Sequence, residues 1–242
     1  MKVSKLASYS QKVLEAVHSA SKSIMEIYNS DKLNFESKSD GSPVTLADKT
    51  SHEMLSLHLE SFGKIPILSE EGDNLKDDID LFWLIDPLDG TKEFINRNGE
   101  FTVNVALICE GVPILGVVAA PAIEETYIGF SDNAYKIVNG QKMSISSQKQ
   151  DKKSCAITLS KSHKSDADKV FVNLCRQEFG EVKELPVGSS LKLCRVAEGK
   201  ANIYIRLGPI YQWDIAAGQA IVEASGGCVA NLNNEPLRYE FI

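Results

Sequence analysis

Residues 81–94 read LFWLIDPLDGTKEF, an apolar run that ends abruptly in two carboxylates three residues apart. The apolar part, Leu81 to Ile85, has the length and composition of a short buried strand. Asp86 and Asp89 follow directly at its end. Because carboxylate oxygens presented together suit hard divalent cations, the stretch predicts a metal site.

The backbone around these acids also suits a phosphate. Pro87 restricts the turn, Gly90 lets the backbone come close to a ligand, and Thr91 opens a predicted helix. The free amides at the start of that helix could receive phosphate oxygens. Aspartate is also common at strand ends and helix caps, so the stretch by itself fits an ordinary turn equally well.

Further acids occupy similar positions elsewhere in the chain. Glu70 follows the short apolar segment 65–68, and Asp214 begins an apolar helix. Asp48 lies at the head of an early helix. Together with the two aspartates of residues 81–94, Glu70 and Asp214 provide the oxygen ligands that Mg²⁺ prefers, and the Leu88 carbonyl is a further candidate ligand.

A site of this kind fits the transfer of a phosphoryl group to water. Divalent cations activate the attacking water and stabilise charge on the leaving oxygen. Thr91 could position that water, and Asp48 or Glu70 could accept its proton. Helix capping also accounts for Thr91 and Asp48, while Glu71 is interpreted as a solvated surface acid.

The composition is that of a globular protein, since 43% of the 242 residues are hydrophobic and 24% are charged. The net charge of −7 argues against binding to nucleic acid polymers, although one small anion could still occupy a local basic pocket. Five scattered cysteines without a Cys-x-x-Cys pair indicate reduced core thiols. With no signal-peptide core and no long apolar span, we expect a cytoplasmic protein without an integral membrane segment.

Helical and strand patterns alternate along the chain, which favours an α+β protein with sheets flanked by helices. The predicted helices are Ala7 to Asn29, Leu46 to Ser61, Asp166 to Phe179, Ser190 to Glu198 and Asp214 to Ala224. The predicted strands are Ile65 to Leu68, Leu81 to Ile85, Phe101 to Ile108, Ile114 to Ala119, Glu125 to Phe130, Ala134 to Val138, Ala156 to Leu159, Val182 to Leu185 and Asn202 to Arg206.

A polar stretch with Gly and Pro, residues 31–43, predicts a loop. The charged connector that begins near Gln148 predicts a boundary between two halves. The N-terminal α+β half, 1–147, would carry the metal-binding loops, and the C-terminal α/β half, 148–242, would complete the active site.

Four motifs carry a resemblance to a known family. They are Asp48, Glu70-Glu71, Asp86-Pro87-Leu88-Asp89-Gly90-Thr91 and Trp213-Asp214-Ile215-Ala216-Ala217-Gly218. In order and spacing they resemble the lithium-sensitive, Mg²⁺-dependent phosphatases of the inositol monophosphatase family. Further stretches narrow the resemblance to the bacterial 3'(2'),5'-bisphosphate nucleotidases, and it spans nearly the whole chain. They are Trp83 to Gly99 together with Phe101-Thr102-Val103-Asn104, Pro113-Ile114-Leu115-Gly116-Val117-Val118, Ser160-Lys161-Ser162-His163 and Gly188-Ser189-Ser190-Leu191-Lys192. Lys92-Glu93-Phe94 favours nucleotides over inositol phosphates by the same resemblance.

The resemblance implies a layered α/β/α/β/α sandwich of the inositol monophosphatase type. The implied reaction removes the 3'-phosphate of adenosine 3',5'-bisphosphate, which gives AMP and phosphate in sulfur-assimilation housekeeping. Alternative activities are those of an inositol monophosphatase or a fructose-1,6-bisphosphatase. A non-catalytic protein that binds metal or nucleotide is a further alternative from a different class.

The resemblance also implies a cofactor of two or three Mg²⁺ ions. One ion would be held by Glu70, Asp86 and the Leu88 carbonyl. A second would be held by Asp86, Asp89 and Asp214, so that Asp86 bridges the two. Inhibition by Li⁺ is expected on the same ground.

The candidate catalytic residues are Asp48, Glu70 and Thr91, of which the resemblance assigns Asp48 and Thr91 to a water-activating pair beside a third metal position. The candidate substrate contacts are Glu70, Leu88, Asp89, Gly90, Thr91, Ser190, Lys192 and Asp214. Residues 188–192 could hold a sugar or a second phosphate, although a capped helix with a solvated lysine explains them equally well. Arg206 and His163 are further candidate anion contacts.

The chain stops at Phe241-Ile242, whereas relatives usually continue through another short segment that supplies a final strand. We therefore expect the edge of the second half to be shorter or to be completed by a partner, for which a homodimer is one option. Peripheral association with the inner membrane is an alternative to a purely cytoplasmic location.

Overall fold

The computed structural model describes residues 1–30, 35–37, 43–72, 79–147, 154–161 and 165–241. Numbered in chain order, the helices are α1 (Val3–Tyr28), α2 (Leu46–Glu60), α3 (Thr91–Ile95), α4 (Asp166–Phe179), α5 (Leu191–Ala197) and α6 (Gln212–Ala224). The strands are β1 (Phe35–Ser37), β2 (Pro43–Thr45), β3 (Ile67–Ser69), β4 (Leu81–Asp89), β5 (Thr102–Cys109), β6 (Val112–Ala120), β7 (Glu125–Phe130), β8 (Asn133–Val138), β9 (Gln141–Ser144), β10 (Ser154–Ser160), β11 (Glu181–Val187) and β12 (Ile203–Tyr204). Each predicted helix and strand overlaps one of these elements.

The larger sheet contains seven strands in the order β3-β4-β5-β6-β7-β8-β9. Strand β3 runs parallel to β4, and each later pair is antiparallel. Strands β4 to β9 therefore form a continuous antiparallel meander.

Strand β4 continues beyond its predicted end, because the two aspartates are separated by a bulge within the strand and not by a turn after it. Asp86 pairs with Asn104 and Asp89 pairs with Thr102, so three steps along β4 match two along β5. Pro87 lies in this irregular segment, where a residue without an N–H is tolerated in a sheet. Bulges re-aim side chains, and this one directs the end of β4 toward the site described below.

Helices α1 and α2 pack against each other and cover one face of the large sheet. The buried side chains of α1 recur at helical spacing, as the sequence predicts. They include Val13, Ala16, Val17, Ala20 and Ile24. These residues join buried side chains of β4, β5 and β6 in the main hydrophobic core.

Helix α6 covers the opposite face, and two glycines allow it to approach the sheet closely. A Cβ atom at Gly116 of β6 would collide with the backbone oxygen of Ala217, and one at Gly129 of β7 would collide with the backbone of Ile221. A side chain at either position would push α6 outward. These two glycines therefore fix the depth of the helix that carries Asp214.

The second sheet is parallel, with the order β11-β10-β12. Helix α4 packs against it through a small core that contains Ile157, Leu159 and Val172. Helix α5 contacts β10 and β12 as well as α6 and β6, so it lies between the two sheets. The resulting layers confirm the predicted α/β/α/β/α sandwich.

Two differences from the predicted elements concern short polar strands. Within the predicted loop 31–43, β1 and β2 pair with each other, with Phe35 opposite Thr45. Strand β9 is exposed along its whole length and was not predicted. Both segments pair through backbone hydrogen bonds and lack the apolar alternation that marks a strand in a sequence.

The proposed boundary near Gln148 falls at residues 148–153, which lie outside the described part of the chain, and it stays a prediction. Helix α6 belongs to the predicted C-terminal half but packs on the sheet of the predicted N-terminal half.

Among the described residues, none of the helices combines the length and hydropathy of a membrane span.

Candidate active site

The bulge of β4 is held in place by hydrogen bonds from its own residues and from α2. The Leu88 amide donates to Asp86 Oδ1 at 3.0 Å, which closes a tight turn around Pro87. The Ser51 hydroxyl of α2 donates to the Pro87 carbonyl at 2.7 Å. Gly90 follows with a positive φ of 91°, a conformation that favours glycine, and α3 begins at the next residue.

Asp89 is tied to the C-terminal half through Ser190, which directly precedes α5. The Ser190 amide donates to Asp89 Oδ2 at 2.6 Å. The Ser190 Oγ lies 2.7 Å from both Asp89 Oδ2 and the Asp214 carbonyl oxygen. Asn104 Nδ2 donates to the same Ser190 Oγ at 2.9 Å. Ser190 therefore links the acid of β4 to the first turn of α6.

Asp86, Asp89 and Asp214 converge, since each can offer a carboxylate oxygen that lies within 4.8 Å of the other two. Asp86 is buried, and among the described residues its Oδ2 has no hydrogen-bond partner. A buried carboxylate oxygen without a donor is costly unless a cation or a proton compensates it. We call this set, together with Glu70, the acidic cluster.

The pKa values of the acidic cluster are raised by burial and by the short distances between its carboxylates. Burial raises the pKa of Asp86 well above its usual value, and the charges of Glu70 and Asp89 raise it further. Burial and the charge of Asp89 raise the pKa of Asp214 to about 7. Hard oxygen donors, a short mutual distance and an uncompensated buried charge all fit divalent cations at this position.

The predicted pair of Asp48 and Thr91 is in contact. The Thr91 hydroxyl donates to Asp48 Oδ1 at 3.2 Å and also lies 3.5 Å from the Leu88 carbonyl oxygen. Asp48 Oδ2 accepts hydrogen bonds from the amide and the hydroxyl of Thr45, at 2.7 and 2.6 Å, in the capping box of α2. Burial raises the pKa of Asp48 to about 6. Asp48 is thus a helix-capping residue that also faces Thr91.

A cavity of about 310 Å³ opens at the acidic cluster. It is lined by each of the predicted metal ligands and by Gly90, Thr91, Ser190, Lys192 and Arg206. Asp48 reaches the cavity only through Thr91. His163, a predicted anion contact, lies outside the described residues.

Three cationic residues, Lys92, Lys192 and Arg206, line the same cavity. The Lys192 side chain is largely buried, and its Nζ donates to the Ser189 carbonyl at 2.6 Å. Burial lowers the pKa of Lys192, although nearby acids oppose that effect. The Arg206 guanidinium donates to the Pro209 carbonyl at 2.8 Å and also lines the cavity. The cavity therefore presents carboxylates and cations together.

Two aromatic residues that line the cavity, Tyr204 and Tyr211, received no role in the sequence analysis. Tyr204 lies in a strand whose apolar pattern gives no sign of a ligand contact. Tyr211 stands just ahead of the Trp213-Asp214 motif, and that proximity was the only signal that could have identified it.

Comparisons with known proteins agree with this geometry. The model of the inositol monophosphatase family matches residues 6–241. The 3'(2'),5'-bisphosphate nucleotidase CysQ of Escherichia coli K12 is 41% identical over 232 residues, which cover 94% of this chain and 92% of the relative. The CysQ of Buchnera aphidicola is 40% identical, with 94% of this chain and 86% of the relative covered.

Two solved structures share the fold. The CysQ of Bacteroides thetaiotaomicron superimposes with a TM-score of 0.84 at 37% identity, covering 96% of this chain and 92% of the other. An inositol monophosphatase from Thermotoga maritima gives a TM-score of 0.77 at 25% identity, covering 93% and 85%. The chain therefore belongs to the inositol monophosphatase family.

Proposed function

We propose that this chain is a Mg²⁺-dependent 3'(2'),5'-bisphosphate nucleotidase that converts adenosine 3',5'-bisphosphate to AMP and phosphate. The observation that carries the proposal is a single cavity that has the acidic cluster and the cations Lys192 and Arg206 in its wall. A substrate with two phosphates at separate positions needs both kinds of group. The CysQ relatives, which are named for this activity, support the same substrate class.

The acidic cluster and the Leu88 carbonyl would hold two or three Mg²⁺ ions. Glu70, Asp86 and the Leu88 carbonyl form one candidate set, and Asp86, Asp89 and Asp214 form the other. When bound, the ions would neutralise the clustered carboxylates, lower the pKa of a water molecule and stabilise charge on the phosphate oxygens. The unpartnered Oδ2 of Asp86 supports its place in both sets.

Thr91 and Asp48 are proposed to handle the proton of the attacking water. Because Thr91 donates its own proton to Asp48 Oδ1, the lone pairs of its oxygen remain available to orient a water molecule in the cavity. As that water loses a proton to the Thr91 oxygen, the Thr91 proton passes to Asp48. The pKa of Asp48, raised by burial to about 6, suits a general base near neutral pH.

Lys192 and Arg206 are proposed to bind the 5'-phosphate, which is not cleaved. A protein with a net charge of −7 needs local cations to hold a dianion away from its metal ions. Lys192 is held by Ser189 and Arg206 by Pro209, so both cations are positioned before the ligand arrives. Ser190 stays a predicted substrate contact, although its hydroxyl is already engaged by Asp89.

The test of this function is a panel of substrates with Mg²⁺. Adenosine 3',5'-bisphosphate, inositol 1-phosphate and fructose 1,6-bisphosphate are compared by phosphate release, and the panel is repeated with added Li⁺. We expect the highest kcat/KM for the nucleotide and inhibition by Li⁺. A clear preference for inositol 1-phosphate or fructose 1,6-bisphosphate would refute the proposal, and the absence of turnover on every substrate would favour a binding protein.

The proposal includes a cytoplasmic setting and a role in sulfur assimilation. Cys109, Cys175, Cys194 and Cys228 are free thiols, which fits a reducing compartment. A homodimer is a further expectation, which the sedimentation of the purified chain would test.

A further inference from the structure

The active-site cavity contains an aromatic surface that the proposed chemistry does not use. Of the described residues that line the cavity, Tyr204 and Tyr211 are aromatic. The Lys192 ammonium lies 5.6 Å from the centre of the Tyr204 ring and occupies its face. Tyr211 remains 59% exposed. Its ring is therefore the aromatic surface that is available to a ligand.

The Tyr211 ring has an aromatic stacking partner although it is exposed. It stacks on the Trp213 indole with ring centres 5.0 Å apart and an angle of 10° between the planes. One face is covered by the indole, and more than half of the residue stays accessible. Aromatic side chains with few rotatable bonds offer a large contact area at a small entropic cost, particularly when a neighbour already fixes the ring.

The position of Tyr211 is also tied to the acidic cluster. Its amide donates to Asp214 Oδ2 at 3.2 Å, and its carbonyl accepts from the Asp214 amide at 3.3 Å. A ligand that reaches the carboxylates of the cluster therefore lies beside this ring. The cavity therefore combines three kinds of surface, which are carboxylates that suit cations, basic side chains that suit an anion, and the flat face of an aromatic ring.

We propose that Tyr211 is a specificity-determining residue whose free face stacks on the base of the nucleotide substrate. This inference rests on the proposed function, because it assumes a substrate with a base. Charged groups alone recognise any bisphosphate of suitable span, including a sugar bisphosphate. A π-face adds the discrimination that charge cannot supply, because every nucleobase is planar and aromatic and a sugar is neither.

The test compares two inhibitors that differ only by the base. AMP carries the base, the ribose and the 5'-phosphate, whereas ribose 5-phosphate carries the ribose and the phosphate without the base. We expect AMP to inhibit the wild type at lower concentration than ribose 5-phosphate. Tyr211→Ala should raise the inhibition constant of AMP at least about fivefold, the lower end of the range expected for loss of one base–aromatic stack. The inhibition constant of ribose 5-phosphate should stay unchanged.

Two further variants distinguish the effect of ring stacking from that of side-chain volume. Tyr211→Phe keeps the ring and should retain inhibition by AMP, whereas Tyr211→Leu keeps apolar volume without a ring and should behave like Tyr211→Ala. Leu232→Ala removes an apolar side chain that is 80% exposed and does not line the cavity, and it should change neither constant. Thermal stability and the Mg²⁺ concentration for half-maximal activity are measured in each variant to show that Asp214 is undisturbed.

The outcomes distinguish this inference from the proposed function. If the wild type prefers the nucleotide but Tyr211→Ala leaves AMP inhibition unchanged, the stacking role is wrong and the function stands. If Tyr211→Ala weakens both inhibitors equally, the residue only supports the site, and the inference is again wrong. If the wild type prefers inositol 1-phosphate and does not distinguish AMP from ribose 5-phosphate, the proposed function fails together with the inference.

Discussion

Two groups of largely buried charged side chains, both within the described residues, differ in whether their charges are balanced. In the acidic cluster, Asp86, Asp89 and Asp214 converge and the charge of Glu70 acts on Asp86. Asp86 Oδ2 has no hydrogen-bond partner among the described residues. The second group, which we call the ion-pair network, lies where α5 meets β7 and β8. It consists of Glu125, Lys136, Arg195 and Glu198.

In the ion-pair network each cation contacts both carboxylates. Lys136 Nζ lies 2.6 Å from Glu125 and 3.0 Å from Glu198, and Arg195 also contacts both acids. Tyr127 adds a hydrogen bond to Glu125 at 2.8 Å. Buried charges that are fully paired stabilise a defined arrangement, because removing any one of them leaves a remaining charge without compensation inside the protein.

The pKa values of the two groups shift in opposite directions. Burial favours the protonated form of Glu125, but hydrogen bonds from Lys136 and Tyr127 outweigh it and the pKa falls to about 2. In the acidic cluster nothing outweighs burial, and the pKa of Asp214 rises to about 7. The charges of the ion-pair network are therefore compensated within the protein, whereas the acidic cluster keeps an excess of negative charge that a bound cation would compensate.

The largest expected effect comes from Asp89→Asn, which removes one charge from the acidic cluster and keeps its size. Turnover of adenosine 3',5'-bisphosphate should fall about a hundredfold or more, because a carboxylate ligand is lost. In the presence of a chelator, the free energy of unfolding should stay the same or rise, since repulsion among like charges is relieved. Both quantities are measured on the same preparation, by phosphate release and by urea denaturation.

Asp132→Asn is the matched control, because Asp132 is exposed at the turn between β7 and β8 and does not line the cavity. It should leave turnover unchanged. Nearly wild-type turnover of Asp89→Asn at saturating Mg²⁺ would refute the assignment of Asp89 as a metal ligand. A large loss of stability with chelator would show that the acidic cluster supports the fold, as the network does.

A smaller effect, on stability, is expected from Arg195→Met in the ion-pair network. The change leaves Glu125 and Glu198 with Lys136 as their shared cation inside the protein. We expect the free energy of unfolding to fall by about 3 kcal/mol, the range for breaking a buried ion pair. Urea denaturation at neutral pH measures it.

The matched control for Arg195→Met is Arg176→Met. Arg176 pairs with Glu184 at 2.7 Å, but its side chain is 47% exposed. Loss of this surface pair should cost less than about 1 kcal/mol. Equal costs for the two variants would show that the network gains nothing from its burial and would remove the contrast with the acidic cluster.

The smallest expected effect is the pH dependence of Glu125→Gln. The folded protein keeps Glu125 ionised down to a pKa of about 2, whereas the unfolded chain takes up a proton near 4.5. The stabilisation is therefore fully present above 4.5 and is lost as the pH falls toward about 2. The stability advantage of the wild type over Glu125→Gln should shrink across that window in urea titrations at several pH values. An advantage that stays constant with pH would mean that the carboxylate charge contributes nothing.

Residues of the acidic cluster could be predicted because each stands at the end of a recognisable local pattern. Asp86 follows an apolar strand, Glu70 follows another, and Asp214 begins an apolar helix. The prediction that the strand ends in a turn after Ile85 was wrong, because β4 continues to Asp89 through a bulge. The pairing register of β4 depends on its partner strand β5, so the sequence of β4 alone does not determine where the bulge lies.

The ion-pair network and the aromatic residues of the cavity wall could not be predicted in this way. Lys136 and Glu198 are 62 residues apart, and Arg195 and Glu125 are 70 apart. Each reads as an ordinary charged residue within its own helix or strand. Likewise the hydroxyl of Ser190, which was predicted as a substrate contact, is directed at Asp89 by the packing of α5 against α6.

By itself, the sequence determined the class of fold, the identity of the acidic residues and the chemistry that they suit, because these depend on local periodicity and on side-chain type. Tertiary structure alone decided which charges are balanced, how deeply α6 sits on the sheet, and that Tyr211 faces the cavity. The physical reason is that charge compensation and shape arise from groups distant in sequence. Such groups come within contact distance of one another only after the two large sheets and the three helical layers have packed.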